Sequence, residues 1–214
     1  MRRRHVLGLC GLLLTLTACA SCGEDEADPR DPYAALDPRP FGHHPAVAHG
    51  EDFPDDPWAP AREAHLAWTR GGSGPYLFWA LIDPERSGDP SRMRFSGIEE
   101  PHPMGGTVSI DYDVAIGAAA ASGLGVMWNI DVGYEPGYRQ PGSFLPVDEP
   151  AYARFVETAV ARYPSVRVWQ VGNEPNLGSE RSLGGFARLQ RLTYEAIKRA
   201  DPTAVVVMGG VAGN

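Results

Sequence analysis

Three apolar, strand-like runs follow one another through the second half of the chain, at residues 126–130, 166–171 and 204–208, each about 35 to 40 residues from the next. That pitch fits one strand plus one crossover helix per step, and a crossover is what joins parallel strands, with a right-handed turn. The intervening segments read as helices. Residues 110–122 are Ala-rich and are followed by Gly123, the residue favoured just past a helix end. Tyr152, Phe155, Val156, Ala159, Val160 and Tyr163 fall on one helical stripe, with Asp148-Glu149-Pro150 at its start and Pro164 at its end. Ser182 stands where it can cap a third helix, which turns Phe186, Leu189, Thr193, Ala196 and Ile197 inward and closes near Asp201-Pro202. The expected class is therefore α/β with a parallel sheet. No strand is followed by a Gly-rich dinucleotide fingerprint or a Walker-type lysine, which disfavours nucleotide folds.

Earlier signals are weaker. The apolar run 76–82, between Gly71-Gly72-Ser73-Gly74-Pro75 and Asp83-Pro84, reads as a buried strand, although periodicity alone does not separate it from a buried helix. Residues 92–96 read as another short strand, giving five in all. Between strand 126–130 and the helix at 152 lies a loop of about twenty residues carrying Tyr134, Tyr138, Arg139, Gln140 and Phe144. Loops this long in compact domains are usually functional or disordered, and its aromatics favour a functional one.

The amino terminus has a different character. Arg2-Arg3-Arg4 precede an apolar run from Val6 to Leu16, shorter than the ~20 residues of a spanning helix, and Leu16-Thr17-Ala18-Cys19 follows. This resembles the signal peptide and lipobox of bacterial lipoproteins. The resemblance implies cleavage after Ala18, a lipidated Cys19, export, and attachment to the cell envelope, at the outer membrane where there are two, since Ala20 is not the Asp that marks inner-membrane retention. Of three cysteines, Cys10 then leaves with the leader and Cys22 has no disulfide partner. Residues 19–60 are rich in Asp, Glu and Pro with few aliphatics, a composition that reads as an extended tether, and His43, His44 and His49 within it read as solvated. That leaves 61–214, enough for one domain. Net charge is −8, and −11 once three arginines depart with the leader, so nucleic acid is an unsuitable partner.

The residues that carry chemistry lie after the strand ending at Val171: Gly172-Asn173-Glu174-Pro175-Asn176. In a parallel α/β fold ligands bind at the carboxyl ends of the strands, so a carboxylate and an amide side by side there are well placed. This segment resembles the acid/base motif of the clan A retaining glycoside hydrolases, in which the fourth strand of a (β/α)8 barrel ends in Asn-Glu-Pro. Its surroundings, Tyr194-Glu195-Ala196-Ile197-Lys198-Arg199-Ala200-Asp201-Pro202 and the Val-rich strand after it, are similar to the xylosidase/iduronidase-like and cellulase-like families. Gly172 stands where many relatives carry tryptophan, although a Gly-Asn-Glu-Pro variant occurs in some branches, so it bears on the family more than on the fold.

The resemblance implies a (β/α)8 TIM-barrel type of fold, of which about five βα units are present, and hydrolysis of O-glycosidic bonds in a glycoside, oligosaccharide or polysaccharide without metal or cofactor. Glu174 would protonate the leaving oxygen, which requires a pKa raised by burial or a neighbouring carboxylate, and Asn173 would donate to the sugar 2-hydroxyl. Trp128 and Trp169 are candidates for sugar stacking or for plain core, and Asn129 and Arg94 are candidates for hydrogen bonds to substrate. A retaining mechanism also needs a nucleophilic carboxylate ~5–5.5 Å away, which in the clan ends the seventh strand. The sequence ends at Asn214, past the fifth, so the chain as written is expected to be an inactive amino-terminal portion with open sheet edges. Asp83, Glu99, Glu100, Asp131 and Glu135 are the possible substitutes, none singled out by spacing. The alternative is a non-catalytic carbohydrate-binding or structural envelope lipoprotein.

Overall fold

The computed structural model describes residues 42–43, 58–71, 76–101, 106–177 and 183–213. The leader, Cys19 and most of the segment read as a tether lie outside these residues. Within that segment, however, β1 (Gly42–His43) pairs in parallel with β2 (Trp68–Arg70). Between them, α1 (Ala59–Glu63) begins with Pro60 in its first turn.

The expected strand at 76–82 is only partly a strand. Leu77–Phe78 forms β3, and Trp79–Ile82 coils into a short helix, α2, whose four side chains are all buried. The buried carboxylate of Asp83 fixes this turn by accepting hydrogen bonds from the amides of Ser87 and Gly88, the Ser87 hydroxyl and the Trp79 indole. A helical turn buries apolar residues on every side as readily as a central strand does, which is why the run alone misled. No strand forms at 92–96 either. Asp89 caps a 3-10 turn at Pro90–Arg92, and the chain beyond it makes single backbone bonds, Arg94 N to Ile82 O and Tyr112 N to Phe95 O, instead of a ladder. The pairing falls later, in an antiparallel hairpin of β4 (Ile98–Pro101) and β5 (Thr107–Ile110).

From there sequence and structure agree closely. Asp111 caps α3 (Tyr112–Ala121), and Gly123 takes the left-handed conformation past its end. Then come β6 (Gly125–Asp131), α4 (Glu149–Arg162) capped by Asp148, β7 (Val166–Val171), α5 (Leu183–Ala200) and β8 (Val205–Met208). The main sheet runs β1-β2-β6-β7-β8, entirely parallel, with β3 pairing the far end of β6 beyond β2. Thus β2 and β3 are two short pieces along one edge of β6. Among the described residues β1 and β8 are the sheet edges.

Alternation along the strands sorts their side chains. Trp128, Ile130, Trp169 and Val171 belong to the core, together with Tyr152 and Phe155 of α4 and Leu189 and Ile197 of α5. On the other face lie Arg70, Asn129, Asp131 and Gln170, as the two-residue strand period requires. The two longest helices also share a buried polar contact, Tyr152 to Thr193 at 3.1 Å between hydroxyl oxygens.

One ion pair joins α3 to α4. Arg162 donates through Nε and Nη2 to the two oxygens of Asp113, both at 2.7 Å, and the Tyr163 hydroxyl donates to the same carboxylate. The Arg162 hydrogen bond holds Asp113 below its ordinary 3.8, outweighing partial burial. The side chains are 34% and 47% exposed, so solvent screens the pair and its worth is about 0.5–1 kcal/mol. A carboxylate with a depressed folded pKa stabilises above its unfolded value and ceases to as pH falls through the folded one. Asp113→Asn is therefore expected to lower stability by about that amount at pH 7, with the difference from wild type shrinking steadily below about pH 4, as read by urea melts across pH.

Candidate functional site

Two strand ends build the site. β6 delivers Asp131 and β7 delivers Gly172, Asn173 and Glu174, and these line one cavity of about 250 Å³ with Arg139 and Phe186. Tyr134 and Phe144 of the long loop and Leu177 complete its wall.

The β7 loop is held from behind. The Glu174 amide donates to Gly210 O at 2.8 Å, and the Asn176 side chain exchanges two 3.0 Å hydrogen bonds with the backbone of Ala212. The β8 end approaches so closely that a Cβ on Gly209 would lie 2.9 Å from Gly172 C and O, which requires glycine there. Glu174 itself has φ 44°, a left-handed backbone that a side chain with a Cβ adopts at a cost of about 1–3 kcal/mol. Pro175 follows, buried, at the head of a 3-10 turn. The Glu174 residue is exposed.

Asn173 is oriented by its neighbours. Arg70 donates Nη2 to Asn173 Oδ1 and Nε to Gln170 Oε1, each at 2.7 Å, while Gln170 Nε2 and Asn129 Nδ2 both donate to Gly172 O. With its oxygen occupied by the guanidinium, the Asn173 amide has Nδ2 to offer outward. Arg70 and Gln170 were not singled out in the sequence. Arg70 falls just before the Gly71-Gly72 breaker, where a short strand had no clear signal.

Asp131 and Arg139 form the second group. Arg139 spends its guanidinium on three acceptors: Nε on Gly133 O, Nη1 on Phe144 O and Nη2 on Asp131 Oδ1 at 2.7 Å. The two side chains are 9% and 7% exposed, a buried ion pair. Asp131 Oδ1 also accepts from the Val132 amide at 2.6 Å.

The structure therefore unites Asn173, Glu174 and, one layer behind, Asn129. It places Trp128, Trp169 and Arg94 elsewhere. Trp128 and Trp169 are fully buried on the helix side of the sheet, so they pack the core and cannot stack on a sugar bound near Glu174. Arg94 lines a separate cavity of about 410 Å³ with Glu99, Glu100 and Glu135. Burial there, and then the charge of Glu135, pushes the Glu100 carboxyl up. Of the five substitute carboxylates, Asp83 is committed to its own turn, three lie in that second cavity, and only Asp131 shares a cavity with Glu174.

The chain matches no protein-family model and no curated protein. Its fold is similar to that of a family 39 glycoside hydrolase from the gut symbiont Bacteroides cellulosilyticus WH2, with TM-score 0.52 and 18% identity, covering 79% of this chain and 31% of that one. It is similar also to a glucosidase from Croceicoccus marinus, with TM-score 0.53 and 19% identity, covering 80% of this chain and 36% of that one. The chain thus spans about a third of the length of these two structures. At such identity the likeness is one of fold.

Glu174 occupies a backbone conformation that suits glycine. Replacing it with glycine is expected to leave thermal stability unchanged or raised by up to about 1 kcal/mol, because relief of the left-handed strain offsets the greater freedom of the unfolded chain. A thermal melt of Glu174→Gly that loses ~2 kcal/mol or more would contradict a strained, function-serving glutamate.

Proposed function

We propose that this chain is the carbohydrate-recognising, acid/base-bearing portion of a glycoside hydrolase with a partial (β/α)8 barrel, carried on an exported lipoprotein anchored through Cys19. The reading rests on one observation: Asn173 and Glu174 line a common cavity at the carboxyl end of a parallel strand. The fold likeness to two glycosidases supports it.

In this reading Glu174, protonated, gives its proton to the glycosidic oxygen as the bond to the anomeric carbon breaks, and then accepts a proton from the water that attacks the same carbon. Asn173 Nδ2, set by the Arg70 grip on Oδ1, donates to the sugar 2-hydroxyl, a bond that strengthens as positive charge grows on the ring. The nucleophile of a retaining reaction is not assigned to any described residue. The exposure of Glu174 favours a second reading, in which the same cavity binds sugar without hydrolysing it.

Calorimetry of purified 1–214 with a methyl glycoside and its 2-deoxy analogue tests the binding claim. The parent glycoside is expected to bind more tightly, and Asn173→Ala to cost about tenfold and erase the difference, in line with the ~1–1.5 kcal/mol of one lost hydrogen bond. Absence of any glycoside binding would refute the proposal. Turnover of an aryl glycoside separates the two readings: a rate abolished in Glu174→Gln supports hydrolysis by the chain itself, while binding without turnover supports recognition alone.

A further inference from the structure

Beyond Glu174 and Asn173, the cavity holds a charge that neither uses. Asp131 has one oxygen satisfied twice, by Arg139 Nη2 and by the Val132 amide. Its other oxygen, Oδ2, takes no hydrogen bond among the described residues, although the side chain is only 7% exposed. Arg139 neutralises the pair and commits three of its five N–H groups, to Gly133 O, Phe144 O and Asp131 Oδ1. Arg70, the other guanidinium of this network, does not line the cavity and has Nε and Nη2 on Gln170 and Asn173. The cavity therefore shows an incoming molecule a strong, charged acceptor at Asp131 Oδ2 beside the outward amide of Asn173.

Gly172 makes that acceptor reachable. A Cβ at this position would stand 3.8 Å from Asp131 Oδ2 and 3.0 Å from Phe186 Cε2, and φ 63° disfavours any side chain. A glycine here thus leaves Oδ2 room for a ligand atom. At about 250 Å³ the cavity is smaller than the ~300–1,000 Å³ of pockets for drug-sized ligands, a size for one sugar ring.

Building on the proposed function, we infer that Asp131 is a specificity-determining residue, accepting a hydroxyl of a neutral sugar through Oδ2 and excluding acidic sugars. A hydroxyl gives a charge-assisted hydrogen bond to a nearly buried carboxylate. A uronate brings a second negative charge to an acceptor that its carboxylate cannot bond.

Asp131→Asn is the discriminating variant, because an Asn can keep Oδ1 against Arg139 and Val132 while replacing Oδ2 with an amide donor. The affinities of a methyl pentoside or hexoside and of the matching methyl uronate are measured by calorimetry for chain 1–214 and for this variant, with circular dichroism to establish that it folds. Wild type is expected to prefer the neutral glycoside at least tenfold, and Asp131→Asn to weaken neutral binding about tenfold and narrow or reverse the preference. Wild type binding the uronate as tightly as the neutral glycoside overturns the inference, and that comparison stands even if the variant does not fold. A folded variant with both affinities within twofold of wild type also overturns it while leaving the carbohydrate reading intact, whereas a wild type that binds neither glycoside overturns both.

Discussion

Arg139 does for the site what no strand does. The segment between β6 and α4 is too long to be ordered by its ends alone, and only one bridge, between Arg139 and Pro146, gives it regular pairing. The guanidinium draws three distant points together: the end of β6 at Asp131, the turn at Gly133 and the far arm of the loop at Phe144. A buried pair of this kind adds little net stability over apolar packing, yet removing one partner costs about 3–5 kcal/mol because the other charge stays buried. Its contribution is geometric. It fixes where Tyr134 and Phe144 stand around the cavity, and it makes Asp131 a fixed charge.

On the opposite side, the β7 loop is shaped by backbone crowding instead of charge. Gly209 lets the end of β8 press against Gly172, and the two loops are then stitched by the Glu174 amide and the Asn176 side chain. Those contacts supply what a glutamate needs to stay at φ 44°. Strained residues persist where surrounding structure over-determines them, and such places are commonly functional. Asn173, one residue earlier, is set by Arg70 of β2, reaching across from the far side of β6, so β2, β7 and the end of β8 each position one part of the same pair of side chains.

The sequence disclosed most where periodicity and caps agreed. α4 combined an apolar stripe with Asp148 and Pro150 before it and Pro164 after it, and β7 and the helix after it were bounded as cleanly. The first half was obscure for a physical reason. β1 and β2 are two and three residues long, too short for any period to register, and the strand position beside β6 is divided between β2 and β3. The conspicuous apolar run 76–82 drew attention away from Trp68-Thr69-Arg70 because a buried helical turn and a buried strand have the same composition. Glu174 and Asn173 were legible as a motif at a strand end. Arg139 was noticed as part of a functional loop, but its pairing with Asp131 follows from the fold of that loop, which local sequence does not encode.

One signal was present and carried more than it seemed to. Strands buried on both faces of a parallel sheet read as continuous apolar runs. Here β6 reads Trp128-Asn129-Ile130-Asp131 and β7 reads Trp169-Gln170-Val171, an alternation of large apolar and polar residues in strands that are nonetheless buried. The apolar set fills the helix side. The polar set, with no solvent to satisfy it, must be bonded from the same face, and it is: Asn129 and Gln170 converge on Gly172 O, Gln170 takes Arg70, and Asp131 takes Arg139. Burying such groups costs more than apolar residues would, and partial satisfaction costs most of all, as at Asn129 Oδ1, which has no partner among the described residues. A polar row of this kind contributes nothing to folding that valines would not supply better, so its place beneath Asn173 and Glu174 is explained by what it holds in position.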